Sequence, residues 1–384
     1  MPIVKTAKLG PFLGENNRLK RHALQMPESG AYLAATTNVD IDVTGRISRA
    51  NGATLVSAMT TGRSLFSDGV RTLYADGTEL RRITSFSPFA ASVVGTVAAA
   101  PIAYAESNGE VFYSDNLVLR CLSASNTVRA VGVPVPVSLS AAAIAGSLQG
   151  ASYQVTISYY YGAEQGGAYP SVSIELATTG GIRLALPPAP AGVTAVAAYV
   201  SGPNGEAPLF YGSYSPSTAT VDITTAPTGR ACLTQLKGPM PAGEHLAIVL
   251  GRLFSASGNA LYYSDPYNYG LTTPAKNYLQ FPEAITNLAS CKNGIYVTAG
   301  KTWWVTSFGD PLGDPVLPYG AVERTVCQIP NENKVVWLSE RGVVIGDSQG
   351  QVKNVQEKNL FLSLSGAGAS MFVEGNNRII ATNG

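Results

Sequence analysis

The chain has 384 residues, enough for two domains or one large β architecture, and it is 45% hydrophobic but only 13% charged, against roughly 25% charge in an average soluble domain. Its net charge of +1 excludes a global field that would draw it to nucleic acid or membrane. The four cysteines (Cys121, Cys232, Cys291, Cys327) and two histidines (His22, His245) lack metal-ligand spacing, so neither a zinc site nor another cofactor is expected, and free thiols in a reducing cytosol are.

Met1-Pro2-Ile3-Val4-Lys5 has no apolar stretch after a basic start, so no signal peptide is expected. No run reaches the roughly 18 apolar residues of a membrane span. Within residues 1–26, Lys5, Lys8, Arg18, Lys20 and Arg21 face a single acid, Glu15. Two readings stand for this stretch: a solvated arm, or an extended arm over 1–35 that lies on a neighbouring subunit.

From residue 36 onward, turn chemistry dominates. Asn-Gly occurs at Asn51, Asn108, Asn204 and Asn293, and Asp-Gly at Asp68 and Asp76, pairs whose tolerance of positive φ favours tight hairpins. Leu73-Tyr-Ala-Asp76 is echoed by Phe112-Tyr-Ser-Asp115, 39 residues on, and by Tyr262-Tyr-Ser-Asp265. That spacing is close to one propeller blade of about 40–50 residues. The prediction is an all-β chain, a β-propeller of five or six blades, its first part over 36–134 and its second over 243–384. The last strands, near Met371–Val373 and Arg378–Ala381, are expected to pair with the early strand at 38–47 and close the ring.

Between 135 and 242 the rhythm breaks, with only seven Asp, Glu, Lys or Arg in 108 positions. Short strand-like runs spaced as in a β-sandwich predict an inserted fibronectin-type-III-like domain with its core at 146–225. Residues 138–145 read either as a short helix or as an extended linker.

Several segments resemble one family. Leu13-Gly-Glu-Asn-Asn17, then Asn38-Val-Asp-Ile-Asp-Val-Thr-Gly-Arg-Ile47 within residues 34–49, Leu261-Tyr-Tyr-Ser-Asp-Pro266 with 278–281, and Tyr319-Gly-Ala-Val322 with 335–346 and 350–354 are similar to tail proteins of short-tailed bacteriophages. The chain departs at Ser48-Arg-Ala-Asn-Gly52, where relatives often carry a run of arginines. The resemblance implies a nozzle-like or tail-tube subunit of the virion, assembled in host cytoplasm as a ring of six identical copies around the DNA ejection path. It would meet a portal-side adaptor or other tail proteins, tail fibres and, transiently, phage DNA. The alternative is a non-catalytic, carbohydrate-binding propeller of a secreted or surface protein.

No catalytic constellation is legible, and the chain is expected not to be an enzyme. Glu106 with Glu110, and Asp310 with Asp314, are the only carboxylate pairs of glycosidase type, and both sit among loop residues. Neither histidine neighbours a nucleophile-elbow motif. Asp40 and Asp42 share a strand face but fall short of the about six to eight oxygens of a calcium site. Tyr159, Tyr160 and Tyr161 occupy both faces of one strand, which leaves two readings: packing within the sandwich, or an outward aromatic contact for a partner or a sugar.

Overall fold

A computed structural model describes residues 11–381 apart from 27–29, 43, 51–54, 60, 309–311, 364–365 and 374–375. The chain is all-β, and its strands form consecutive small sheets, antiparallel except for one parallel pair near the N-terminus, rather than one continuous sheet. Five of these are blades of a propeller-like series. Blade 1 is Arg63–Ser67, Thr72–Asp76, Glu79–Phe86 and Phe89–Thr96. Blade 2 is Ala103–Ser107, Glu110–Ser114, Leu119–Leu122 and Val128–Ala130. Blade 3 is His245–Val249, Arg252–Ser257, Ala260–Tyr263 and Tyr278–Gln280. Blade 4 is Asn287–Cys291, Gly294–Ala299 and Lys301–Val305, and blade 5 is Cys327–Ile329, Lys334–Ser339, Gly342–Gly346 and Val352–Asn354.

Each blade buries one face against the next, because strand residues alternate between faces. Leu73, Ala75 and Leu80 of blade 1 meet Val111, Tyr113 and Leu122 of blade 2. Ala105, Phe112 and Cys121 of blade 2 meet Leu246 and Leu253 of blade 3. Phe254 and Leu261 of blade 3 meet Ile295 and Val297 of blade 4, and Tyr296 of blade 4 meets Val335 and Trp337 of blade 5. The first strands of blades 2, 3 and 4 lie side by side, which makes them the innermost of their sheets.

Local turn chemistry explains part of this. Asn108 and Gly109, at φ 53 and 75, form the tight turn that sets Ser107 opposite Glu110, as the sequence predicts. Between Val249 and Arg252 the same turn is made by Leu250 and Gly251, at φ 51 and 69, and a leucine there is costly. A buried ion pair then staples blade 1 to blade 2. Arg71 binds Asp68 at 2.8 Å, both side chains nearly inaccessible, and donates to the Ser123 and Gly109 carbonyls of blade 2 at 3.0 and 2.8 Å.

The insert is a two-sheet sandwich. One sheet has the order Ser140–Leu148, Gly180–Ala185, Thr220–Ile223. The other runs Glu164–Ala168, Ser152–Tyr161, Ala195–Val200, Leu209–Tyr214, with Val172–Glu175 also on the second of these. Tyr153, Val155, Ile157 and Tyr159 point into a core shared with Ile182, Leu184, Val196, Ala198, Val221 and Ile223. The opposite face of the Ser152–Tyr161 sheet is covered by the returning chain, where Cys232 packs on Ala197 and Tyr199. The first strand begins at Ser140, so residues 138–145 are neither helix nor linker, and the sandwich starts before residue 146.

Three further expectations are corrected. The third Tyr-Ser-Asp copy does not repeat the first two structurally: Asp76 ends and Asp115 directly follows the second strand of its blade, whereas Asp265 comes after the third. The early and late strands share no ladder, since Val39–Ile41 pairs with Ile47–Arg49 and Gly368–Val373 with Asn376–Ala381. The N-terminal arm is not extended over 1–35: Phe12–Glu15, Gln25–Met26 and Gly30–Leu33 form a small sheet.

Candidate functional site

The chemistry-bearing groups fall in three places. The first is where residues 12–33 meet the other end of the chain. Asn16 is buried because its Oδ1 accepts from the Arg18 and Leu19 amides, at 3.1 and 3.0 Å, while its Nδ2 donates to Asn359 at 3.3 Å. Asn17 exchanges side-chain bonds with the Phe361 backbone at 2.9 and 3.0 Å, and Arg18 donates to the Glu357 carbonyl. Leu13-Gly-Glu-Asn-Asn17 is therefore an intramolecular lock. Of the five basic residues singled out for a subunit contact, Arg18 is engaged within the chain, Lys20 and Arg21 are exposed, and Lys5 and Lys8 lie outside the described residues.

The second place is a cleft of about 410 Å³ at the ends of the first strands of blades 3, 4 and 5, lined among others by Leu250, Ser290, Lys292, Gln328, Asn331 and Asn333. The strained Leu250 forms one wall. Asn331 and Asn333, at φ 64 and 48, occupy the left-handed region that asparagine tolerates better than leucine. Gln328 Nε2 donates to the Ser290 hydroxyl at 3.3 Å, and Lys334 Nζ to Glu332 at 2.7 Å. The lining offers amides, hydroxyls and ammonium groups, which suit a polar or anionic ligand. Cys291 beside it is a poor nucleophile, its thiol pushed up to about 11 by burial and by the charge of Asp347. No sequence motif announced this cleft, because it is assembled from hairpin ends some 40 residues apart.

The third is His245, at the start of the innermost strand of blade 3. It is buried, and its pKa is held down at about 3, first by desolvation and then by the nearby Arg324 charge, against a hydrogen bond with the Ile285 backbone. The Arg324 guanidinium itself binds Glu323 at 3.0 Å and the Glu244 carbonyl at 3.2 Å. His245 is thus a neutral packing residue near pH 7. The side chain of His22 lies outside the described residues.

The remaining candidates resolve into local structure. Tyr159 is buried in the sandwich core, Tyr160 packs on the Tyr199–Cys232 side, and Tyr161 donates to the Ala191 carbonyl at 3.1 Å. Tyr159 is thereby taken up by packing, while Tyr160 and Tyr161 stay half-buried. Glu106 accepts from the Gly109 amide at 2.9 Å, and Glu110 pairs with Arg129 at 3.2 Å. Asp42 caps its turn through Thr44 and Arg46, and the Thr44 hydroxyl bond holds its carboxyl below the usual range. Asp310 lies outside the described residues. Among the described residues no group of three or more His, Cys, Asp or Glu could hold a metal ion, and no helix is long and apolar enough to cross a membrane.

No protein-family model and no curated protein matches the chain. Among solved structures it is similar to a gluconolactonase of Xanthomonas campestris, at 12% identity and a TM-score of 0.34 over 85% of this chain and 84% of that one. AztD from Citrobacter koseri follows at 13% identity and 0.28, over 78% and 87%. PorZ, a surface component of the type-IX secretion system of Porphyromonas gingivalis, is similar at 10% identity and 0.26; 84% of this chain matches 62% of PorZ. These values carry no argument about activity, and the architecture rests on the strand order above. The expectation that the chain is not an enzyme is withdrawn, a gluconolactonase being among the similar structures.

Proposed function

We propose that the chain is a structural subunit of a bacteriophage tail, assembling with identical copies into a ring that surrounds the DNA path. The family resemblance supplies the identity of the assembly. The observation that supports assembly itself is where charge is missing. Residues 83–105 and 130–163 contain no Asp, Glu, Lys or Arg, yet Ala90, Ser92, Val93, Ala142, Ala143 and Ala145 in these stretches are exposed. A solvent-facing surface normally carries mixed charge, and depletion of charge is the compositional mark of an interface. Electron microscopy of the purified chain tests the reading: closed rings of uniform copy number support it, and single non-contacting copies reject it.

A second reading, a propeller that binds a carbohydrate, draws on the polar cleft walled by Leu250 and Lys292. Saturable binding of a defined oligosaccharide, abolished by Lys292→Ala, would favour it over the first.

A further inference from the structure

Deepening the assembly reading and resting on it, we infer that two strand edges of this chain pair across neighbouring copies: Phe89–Thr96 of one with Ser140–Leu148 of the next. Exposed sheet edges template strand addition, and proteins protect them with charge, proline, shortness or a cover. The outer strands of blades 2 to 5 follow that rule. Val128–Ala130 carries Arg129, ion-paired to Glu110 and Glu164 at 3.2 and 3.5 Å. Tyr278–Gln280 is three residues long, and Val352–Asn354 is equally short and carries Lys353. Lys301–Val305 begins on a lysine and is bridged at Thr302 by Leu317.

The sandwich protects most of its edges in the same ways. Thr220–Ile223 holds Asp222 against Arg183 at 2.6 Å. Leu209–Tyr214 is covered by residues 230–232, through Phe210 N to Arg230 O at 2.8 Å and Cys232 N to Pro208 O at 2.9 Å. Glu164–Ala168 is covered by Thr234, whose carbonyl accepts from Ala168 at 2.9 Å. Val172–Glu175 ends on a glutamate.

Among the described edges of the blades and the sandwich, two have no protection beyond a bulge in their ladder. Phe89–Thr96 is eight residues long, without charge or proline, and is laddered only to Glu79–Phe86. Ser140–Leu148 is nine residues long, also without charge or proline, and is laddered only to Gly180–Ala185, with its end tied down where Ser147 N donates to the Thr224 carbonyl at 2.9 Å. Their lengths match. Small residues at most of their exposed positions permit close approach, and neither strand brings a charge of its own to be desolvated, Arg120 meeting only the terminal Thr96 carbonyl. A lone eight-residue edge falls short of the roughly 1,000 Å² of a stable interface. Phe86, at the tip of the blade 1 hairpin and 66% exposed, and Val137, just before the sandwich strand and 81% exposed, extend the apolar contact on either side. Because the two edges differ, the contact is heterologous, as a ring requires, and a second copy is the occupant.

The test uses Ser92→Lys and Ala142→Lys in the full chain, both at exposed positions, with Ala90→Lys and Ala145→Lys as a second pair should either variant melt early. Thermal unfolding checks that each keeps the wild-type fold, and sedimentation velocity reads assembly. Each variant alone loses self-association. Mixed one to one, they form dimers and nothing larger, since each copy keeps one intact edge and the two intact edges are complementary. Assembly of either variant at the wild-type level overturns the edge pairing while leaving the assembly reading in place. So does a mixture that stays monomeric. A wild-type chain that never associates overturns both.

Discussion

The sandwich and the blades bury comparable side chains in different ways. In the sandwich, both sheets face a single core built from residues within 133–223. In the blade series, apolar residues form a chain of smaller clusters, each shared by two neighbouring sheets. A blade therefore has no core of its own, and its stability is a sum of contacts with its neighbours, as in other repeat architectures. The sandwich has a core of its own and is expected to fold alone. Its inner positions also tolerate no exchange with other sheets, which is why Tyr159 is spent on packing and not on contact.

The comparison breaks most visibly at a fully buried side chain of each region. Trp337→Ala removes a fully buried indole between blades 4 and 5 and is expected to cost about 3–5 kcal/mol. The loss should spread to both blades, seen as reduced hydrogen-exchange protection in 287–305 and 327–354. Ile157→Ala, fully buried in the sandwich, should cost about 2–5 kcal/mol, yet leave blade protection unchanged. Equal loss of protection in both regions from either variant would show one cooperative unit instead of two.

Ion pairs sharpen the same contrast. Arg71→Ala leaves Asp68 buried and unpaired between blades 1 and 2, at about 3–5 kcal/mol. Arg183→Ala removes a pair of shorter contact, 2.6 Å, on the exposed sandwich surface, and should leave the urea midpoint unchanged.

Stability against pH should fall in two windows. The folded pKa of His245 is about 3 against 6.5 unfolded, so the unfolded chain takes up the proton first. Stability is full above about pH 6.5 and declines as the pH falls from there toward 3. Asp68 and Asp115, held low by backbone amide bonds in opposition to burial, add their loss only below their unfolded value of 3.8. His245→Gln should flatten the upper window alone, read from urea midpoints at pH 7.5 and 4.5. A small gain is expected at Leu250, where replacement by Gly relieves a left-handed leucine and should raise stability by up to about 1 kcal/mol.

Local signals carried much of the architecture. Asn108-Gly109 announced its hairpin, and the charge drop after Arg129 placed the insert. What local signals could not carry were contacts between distant segments. Asn16 and Asn17 bond residues more than 340 positions away, so the basic stretch around them read as a loose arm. Asp265 looked like a third repeat because the sequence motif marks a strand end, not a strand's place in its blade. The cleft at Lys292 drew no notice, since its walls come from three hairpins, one turned by a leucine instead of an asparagine.

The most direct test of the account is sedimentation velocity of the full chain over a wide concentration range, with electron microscopy of the heaviest species. The account predicts a single closed oligomer of uniform copy number in equilibrium with monomer. A sharp monomer at every concentration, with no ring in the images, would contradict it.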